Sequence, residues 1–183
     1  MAGRILTVPN QLTFLRLGFL PFFIILVLYG HYPWALAVLI AAALTDGLDG
    51  LLARRLNQKS ALGAYLDPIA DKLLLSSSFF ILALKAKIKW WLAVLVLSRD
   101  VMILTTAAVI ILVAGYRPFP PTLYGKITTT VQILLVFVVV TQAVVNQPAL
   151  EALRGILVYL VAGFTVLSGF HYSVIIARRL QGS

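Results

Sequence analysis

Six long apolar stretches, parted by short polar breaks, fill almost the whole of this 183-residue chain. They run over Gln11–Tyr29, Trp34–Ala53, Ala61–Leu84, Trp90–Ala114, Leu123–Val145 and Leu150–Ile176. A helix crossing the hydrocarbon core of a bilayer needs about 20 such residues. The breaks carry turn signals: Gly30-His31-Tyr32-Pro33, Arg55 to Lys59, Lys85 to Lys89, Gly115 to Pro121, and Asn146-Gln147-Pro148. Lipid offers backbone groups no partner, so each stretch is predicted to be helical. A soluble domain of this length has no core able to hide a chain that is 61% hydrophobic. The expectation is an all-α, multi-pass integral membrane protein: one transmembrane domain, residues 1–183, built as a bundle of six transmembrane helices. Met1 to Pro9 holds one arginine and leads straight into further spans, which does not fit a signal peptide. No internal repeat or low-complexity segment interrupts the chain.

The formal net charge is +9. In a soluble protein that would suggest nucleic acid; in a membrane protein it reflects topology and attraction to anionic lipids and phosphates, so no nucleic-acid partner is expected. With the N-terminus in the cytoplasm, the cytoplasmic segments hold Arg4, Arg16, Arg54, Arg55, Lys59, Arg117, Lys126, Arg178 and Arg179. The opposite side holds Lys85, Lys87, Lys89 and Arg154. The bias predicts both termini inside, with the lysine cluster at 85–89 as the outlier. There is no cysteine, hence no disulfide framework and no zinc-thiolate site.

Against this background the acidic residues stand out. Four of the six, Asp46, Asp49, Asp67 and Asp71, fall within 26 residues. A carboxylate at bilayer depth costs at least a few kcal/mol, so four together need a counter-charge. Spacing i, i+3 puts Asp46 and Asp49 on one helix face; spacing i, i+4 does the same for Asp67 and Asp71. A short cytoplasmic loop joins the two spans, so all four are expected at one depth on adjacent antiparallel helices. Oxygen-only ligands select hard cations such as Mg²⁺, Mn²⁺ or Ca²⁺. Two divalent ions would balance four carboxylates and clamp a pyrophosphate. Gly47, Gly50, Ala53 and Gly63 strip bulk from the same faces, serving either close helix packing or a bulky ligand. Arg54 is placed to reach a phosphate, and Pro68 is expected to bend the third helix.

The pattern Asp46-x-x-Asp49-Gly50-x-x-Ala53-Arg54, eight residues, Gly63-x-x-x-Asp67-x-x-x-Asp71 resembles the signature of the CDP-alcohol phosphatidyltransferases at every fixed position. That family has a six-helix membrane domain of this size, so the resemblance covers the whole chain. It implies transfer of a phosphatidyl or similar group from a CDP-linked lipid to an alcohol with release of CMP. It implies that Asp46, Asp49, Asp67 and Asp71 ligate two ions of Mg²⁺ or Mn²⁺, and that Asp71 is also the general base on the acceptor hydroxyl. Gly50 and Ala53 would admit the cytidine nucleotide, and Arg54 and Ser60 would contact the phosphates of CDP-diacylglycerol. The hydroxyl would attack the β-phosphorus directly; the chain offers no cysteine or buried histidine as a nucleophile. Homodimers are usual in the family, and the active site would face the cytoplasm.

The opening Val8-Pro9-Asn10-Gln11-Leu12-Thr13-Phe14-Leu15-Arg16 resembles the glycerol-type branch, which holds phosphatidylglycerophosphate synthases and eukaryotic-type cardiolipin synthases. Glycerophosphate-using members typically carry Ala-Arg-Glu and a later Leu-Arg in the fourth span, and Gly-Lys-x-Lys-Thr in the fifth. Here stand Ser98-Arg99-Asp100-Val101-Met102 and Gly125-Lys126-Ile127-Thr128-Thr129. Both departures remove a cation for a phosphate monoester. They are similar instead to the cardiolipin synthase branch, as is the spacing Pro121-Thr122, Lys126, Thr129, Gln132. Length, opening motif and bacterial-looking compactness are similar to the glycerophosphate enzyme, the commoner owner of such a chain, in a bacterial cell membrane. Glycerol-3-phosphate is therefore the expected acceptor, with phosphatidylglycerol the alternative.

Arg99 and Lys126 are the expected acceptor contacts. Because adjacent helical residues do not face each other, Arg99 and Asp100 are each expected to find another partner, Arg99 at the acceptor cavity, with a structural ion pair as the alternative. Lys72 either neutralises Asp71 or reaches toward the interface. His31 and His171 are expected to be interfacial or packed, Trp34, Trp90 and Trp91 to form an interfacial belt, and the serine and threonine runs at 76–78, 105–106 and 128–130 to pack helices. Two other function classes compete. A small cation- or proton-coupled transporter also uses intramembrane carboxylates, although here they bunch near one face and no inverted repeat is visible. A non-catalytic lipid-binding relative would not need the intact carboxylate set.

Overall fold

In the computed structural model the described backbone comprises residues 8–56, 61–114 and 123–181, with side chains described over 14–47, 70–105 and 123–172. These residues form six helices: α1 (Val8–Leu28), α2 (Tyr32–Leu56), α3 (Ala61–Leu84), α4 (Trp90–Ala114), α5 (Leu123–Val144) and α6 (Pro148–Gln181). The limits of α3 and α4 coincide with the predicted spans; α1, α2 and α6 run a few residues further. The 34 residues of α6 extend about 51 Å at 1.5 Å per residue, well beyond the ~30 Å hydrocarbon core. The helices continue through Pro21 and Pro68, although neither ring nitrogen has a hydrogen to donate.

Local chemistry sets the turns. Gly30 ends α1 with a φ of 78°. Its N–H donates to the Val27 carbonyl and the His31 N–H to the Leu26 carbonyl, the paired bonds of a Schellman cap. The same pair recurs after α3: Ala86 N–H to Ala83 and Lys87 N–H to Leu82. Here the left-handed position, φ 54°, is held by alanine rather than glycine. The lysine outliers have structural tasks at this end. Lys85 donates to the Leu28 carbonyl at 3.0 Å, satisfying an open C-terminal group of α1. Lys87 lies 4.9 Å from the centroid of the Tyr32 ring, tying this turn to the start of α2. Pro148 opens α6 where no amide hydrogen is needed.

The apolar core lies toward this end. Phe23 and Val27 of α1 meet Leu39 of α2, Phe79 and Leu82 of α3, Leu92 and Val96 of α4, Leu135 to Val140 of α5, and Leu157 and Val161 of α6. The outward faces carry large apolar side chains, among them Phe22, Trp34, Tyr159 and Phe170, a surface suited to lipid. Trp34, Trp90 and Trp91 are exposed near the turns of the apolar end, as a belt requires. Among the described residues, α5 and the Pro148–Tyr172 part of α6 are long and apolar enough to cross a membrane; Phe14–Leu28 and Tyr32–Gly47 are shorter apolar segments. Asp71, Lys72, Arg99 and Asp100 interrupt the other two helices.

The arrangement differs from the expected one at a single point. Among the described residues α2 and α3 do not pack on each other; α1 packs against both, and α5 touches both. The reason is a buried cation on α1.

Candidate active site at the polar end of the bundle

Arg16 lies in the third turn of α1 and is 2% exposed. One terminal nitrogen lies 2.8 Å from Asp46 Oδ1 on α2, and the other is hydrogen-bonded to Asp71 Oδ1 on α3. Asp46 and Asp71 therefore converge through a shared partner rather than by direct helix contact. Sequence reasoning counted Arg16 only as a topological charge. The signal that marks it was present: a lone cation inside an apolar run is a functional candidate by itself.

The two carboxylates are half open, with side-chain exposures of 60% and 49%, whereas the guanidinium is sealed. One cation between two carboxylates leaves this described group with excess negative charge. Half-open, hard oxygen donors with that excess fit a divalent ion. Asp49 and Asp67 lie on helical backbone of α2 and α3, three and four residues from their partners. Their side chains lie outside the described ones, as do those of Gly50, Ala53 and Arg54. Ser60 lies outside the described residues altogether. Among the described residues no cluster of three or more metal-ligating side chains occurs.

Asp46, Asp71 and Arg16 stand on the wall of a cavity of about 320 Å³ between α1, α2, α3, α4 and α5. Leu39, Ala42, Leu75 and Val136 line its apolar part, and Thr129 and Gln132 of α5 add polar groups. A charged rim over an apolar floor suits a lipid carrying phosphates. Gly47 sits beside Asp46, and a β-carbon built there would meet no atom within 4 Å. Among the described residues it therefore has no close packing partner.

Three further cations take these places in the bundle. Arg99 does not line the cavity; it is 7% exposed, donating to Asp100 at 2.8 Å and to Ser168 of α6 at 2.7 Å. Arg99 and Asp100 do contact each other, because the long arginine side chain curls back across the helix to its short neighbour. Lys126 is exposed and is not among the cavity residues. Lys72 neither neutralises Asp71 nor extends to the interface: it pairs with Asp100 and lines the cavity.

Of the hydroxyl runs, Ser76 and Thr128 reach another helix, whereas Thr105, Thr129 and Thr130 bond only within their own. Thr128 donates to the carbonyls of Tyr124 and Phe164, joining α5 to α6, and Ser78 bonds back to Leu74. His171 is packed against Tyr124, with ring centroids 5.1 Å apart.

Residues 6–167 match the family described as CDP-alcohol phosphatidyltransferase. A Mycobacterium tuberculosis protein named "Probable phosphatidylglycerophosphate synthase" is 32% identical over 98% of this chain and 84% of its own length. A "Cardiolipin synthase (CMP-forming)" of Streptomyces coelicolor is 39% identical over 69% of this chain and 61% of its own length. The human protein of the same name is 35% identical over 71% of this chain and 48% of its own. The chain thus spans less than two thirds of the length of these cardiolipin synthases. The matched region covers α1 through most of α6, and with it both the converging aspartates and the cavity: the chain belongs to the CDP-alcohol phosphatidyltransferase family.

Proposed function

We propose that this protein transfers a phosphatidyl group from CDP-diacylglycerol to a glycerol-type alcohol, releasing CMP. The observation that carries this is the convergence of Asp46 and Asp71 on one cavity that joins a charged rim to an apolar floor. Asp46, Asp49, Asp67 and Asp71 would hold two divalent ions, Mg²⁺ or Mn²⁺, which supply charge neutralisation for the pyrophosphate and the leaving CMP. Asp71 takes the proton of the acceptor hydroxyl. The hydroxyl oxygen then forms a bond to the β-phosphorus, and the bond to CMP breaks with its electron pair leaving on CMP. Gly50 and Ala53 leave room for the cytidine, and Arg54 and Ser60 hold the phosphates of the donor. The six helices would cross a bacterial cell membrane with the polar end toward the cytoplasm, in a homodimer.

Glycerol-3-phosphate is the acceptor this reading favours. Its support is the relative named as a phosphatidylglycerophosphate synthase, which aligns over nearly the whole chain. Phosphatidylglycerol has its own support: slightly higher identity to cardiolipin synthases, and Thr129 and Gln132 of the branch-specific spacing on the cavity wall.

Purified protein with Mg²⁺ and CDP-diacylglycerol is expected to release CMP only when an acceptor is added. Offering glycerol-3-phosphate and phosphatidylglycerol in parallel and identifying the lipid product assigns the acceptor. Asp67→Asn and Asp71→Asn are each expected to lower turnover by at least about 10³-fold, the scale of losing a reacting or charge-stabilising group, while the protein still inserts. Transfer that persists in EDTA, or cation flux into liposomes without CMP, would sink the assignment.

A further inference from the structure

The cavity has a second charged wall. Asp100 of α4 is 4% exposed and accepts from three side chains: Lys72 Nζ, Arg99 at 2.8 Å and Ser76 Oγ at 3.3 Å. One carboxylate thus serves two cations, and the described group carries excess positive charge inside the bundle. An excess cation in such surroundings is unfavourable until an anion completes it. Arg99 is not that anion's partner, since Ser168 and Asp100 hold it away from the cavity and Gly169 and Met102 pack beside it. Lys72 and Asp100 do line the cavity, and the Lys72 side chain is 29% exposed there. An ammonium has three donors, of which Asp100 takes one among the described residues.

Lys72 directly follows Asp71. The helix turns about 100° between them, sending Asp71 toward Arg16 on α1 and Lys72 toward Asp100 on α4. The two side chains flank one cavity from a shared helix. A glycerol whose hydroxyl lies at Asp71 would carry its own phosphate to the Lys72 side.

Resting on the phosphatidyl-transfer reading, we propose that Lys72 binds the phosphate of the acceptor alcohol. Asp100, with Ser76 and Arg99, is the positioning group that aims the ammonium into the cavity. The shared chemistry is a phosphate on glycerol, a monoester in glycerol-3-phosphate and a diester in phosphatidylglycerol; the assay runs one arm with each.

Lys72→Gln is expected to raise the KM for the acceptor about 10- to 100-fold, the scale of a charge-assisted hydrogen bond. The KM for CDP-diacylglycerol stays within about twofold, and Lys72→Arg recovers most of the loss. Titration calorimetry of glycerol-3-phosphate or short-chain phosphatidylglycerol into the Mg²⁺-loaded protein reads the same subsite without turnover. An unchanged acceptor KM with only a lower melting temperature overturns the proposal and makes the group a structural clamp. A shift confined to the KM for CDP-diacylglycerol overturns it too. If neither acceptor yields CMP from the wild type, transfer itself is refuted, and acceptor binding that depends on Lys72 still upholds the subsite while binding indifferent to it does not. Should the glutamine variant fail to fold, Asp100→Asn decides: a several-fold rise in acceptor KM supports the arrangement, and no change overturns it.

Discussion

Removing Arg16 would leave Asp46 and Asp71 facing each other without their shared cation. Breaking a fully buried pair costs roughly 3–5 kcal/mol; these carboxylates are half exposed, so about 1–3 kcal/mol is a fairer expectation. Arg16→Gln should therefore melt several degrees lower in metal-free detergent, and added Mg²⁺ should restore more stability to the variant than to the wild type. Scanning fluorimetry with and without EDTA measures both. Asp46 and Asp71 were legible as a pair because acidic residues inside apolar helices stand out from their surroundings. Arg16 was not, because spacing within one helix says nothing about which neighbour a side chain will meet. The contact between Arg99 and Asp100 escaped for a related reason: spacing rules follow the directions of β-carbons, whereas a guanidinium reaches well past its own.

At the level of the helix, punctuation carried most of the information. Glycine or proline at some breaks, and charged or amide residues at 55–59 and lysines at 85–89, placed the described helix ends close to their observed positions. What punctuation cannot show is whether a glycine inside a helix serves packing or a ligand. For Gly47, no described atom would meet an added β-carbon, so a substitution can test the two roles. Gly47→Ala should stabilise α2 by about 0.5–1 kcal/mol, since alanine loses less backbone entropy, yet lower turnover by crowding the space beside Asp46. A denaturant titration beside an activity assay separates the two effects. Loss of stability would mean that the position is packed after all.

Over the whole molecule, hydropathy foretold the number of helices but not their neighbours. The second and third spans were expected to be adjacent; among the described residues α1 lies against both instead, and the Arg16 bridge joins them through a long-range ion pair that no local pattern encodes. Sidedness can be measured cleanly, because the chain has no cysteine. Leu123 and Asn146 are exposed at opposite ends of α5. In intact cells a membrane-impermeant maleimide should label Asn146→Cys but reach Leu123→Cys only after permeabilisation; the reverse pattern would invert the assigned orientation.

The Arg16 bridge also bears on biogenesis. The ribosome delivers α1 first, so a guanidinium already waits in the translocon's surroundings when α2 and then α3 emerge with their acids. Each later segment then meets an earlier one that offsets part of its negative charge, and chain order itself would lower the barrier to burying the acids.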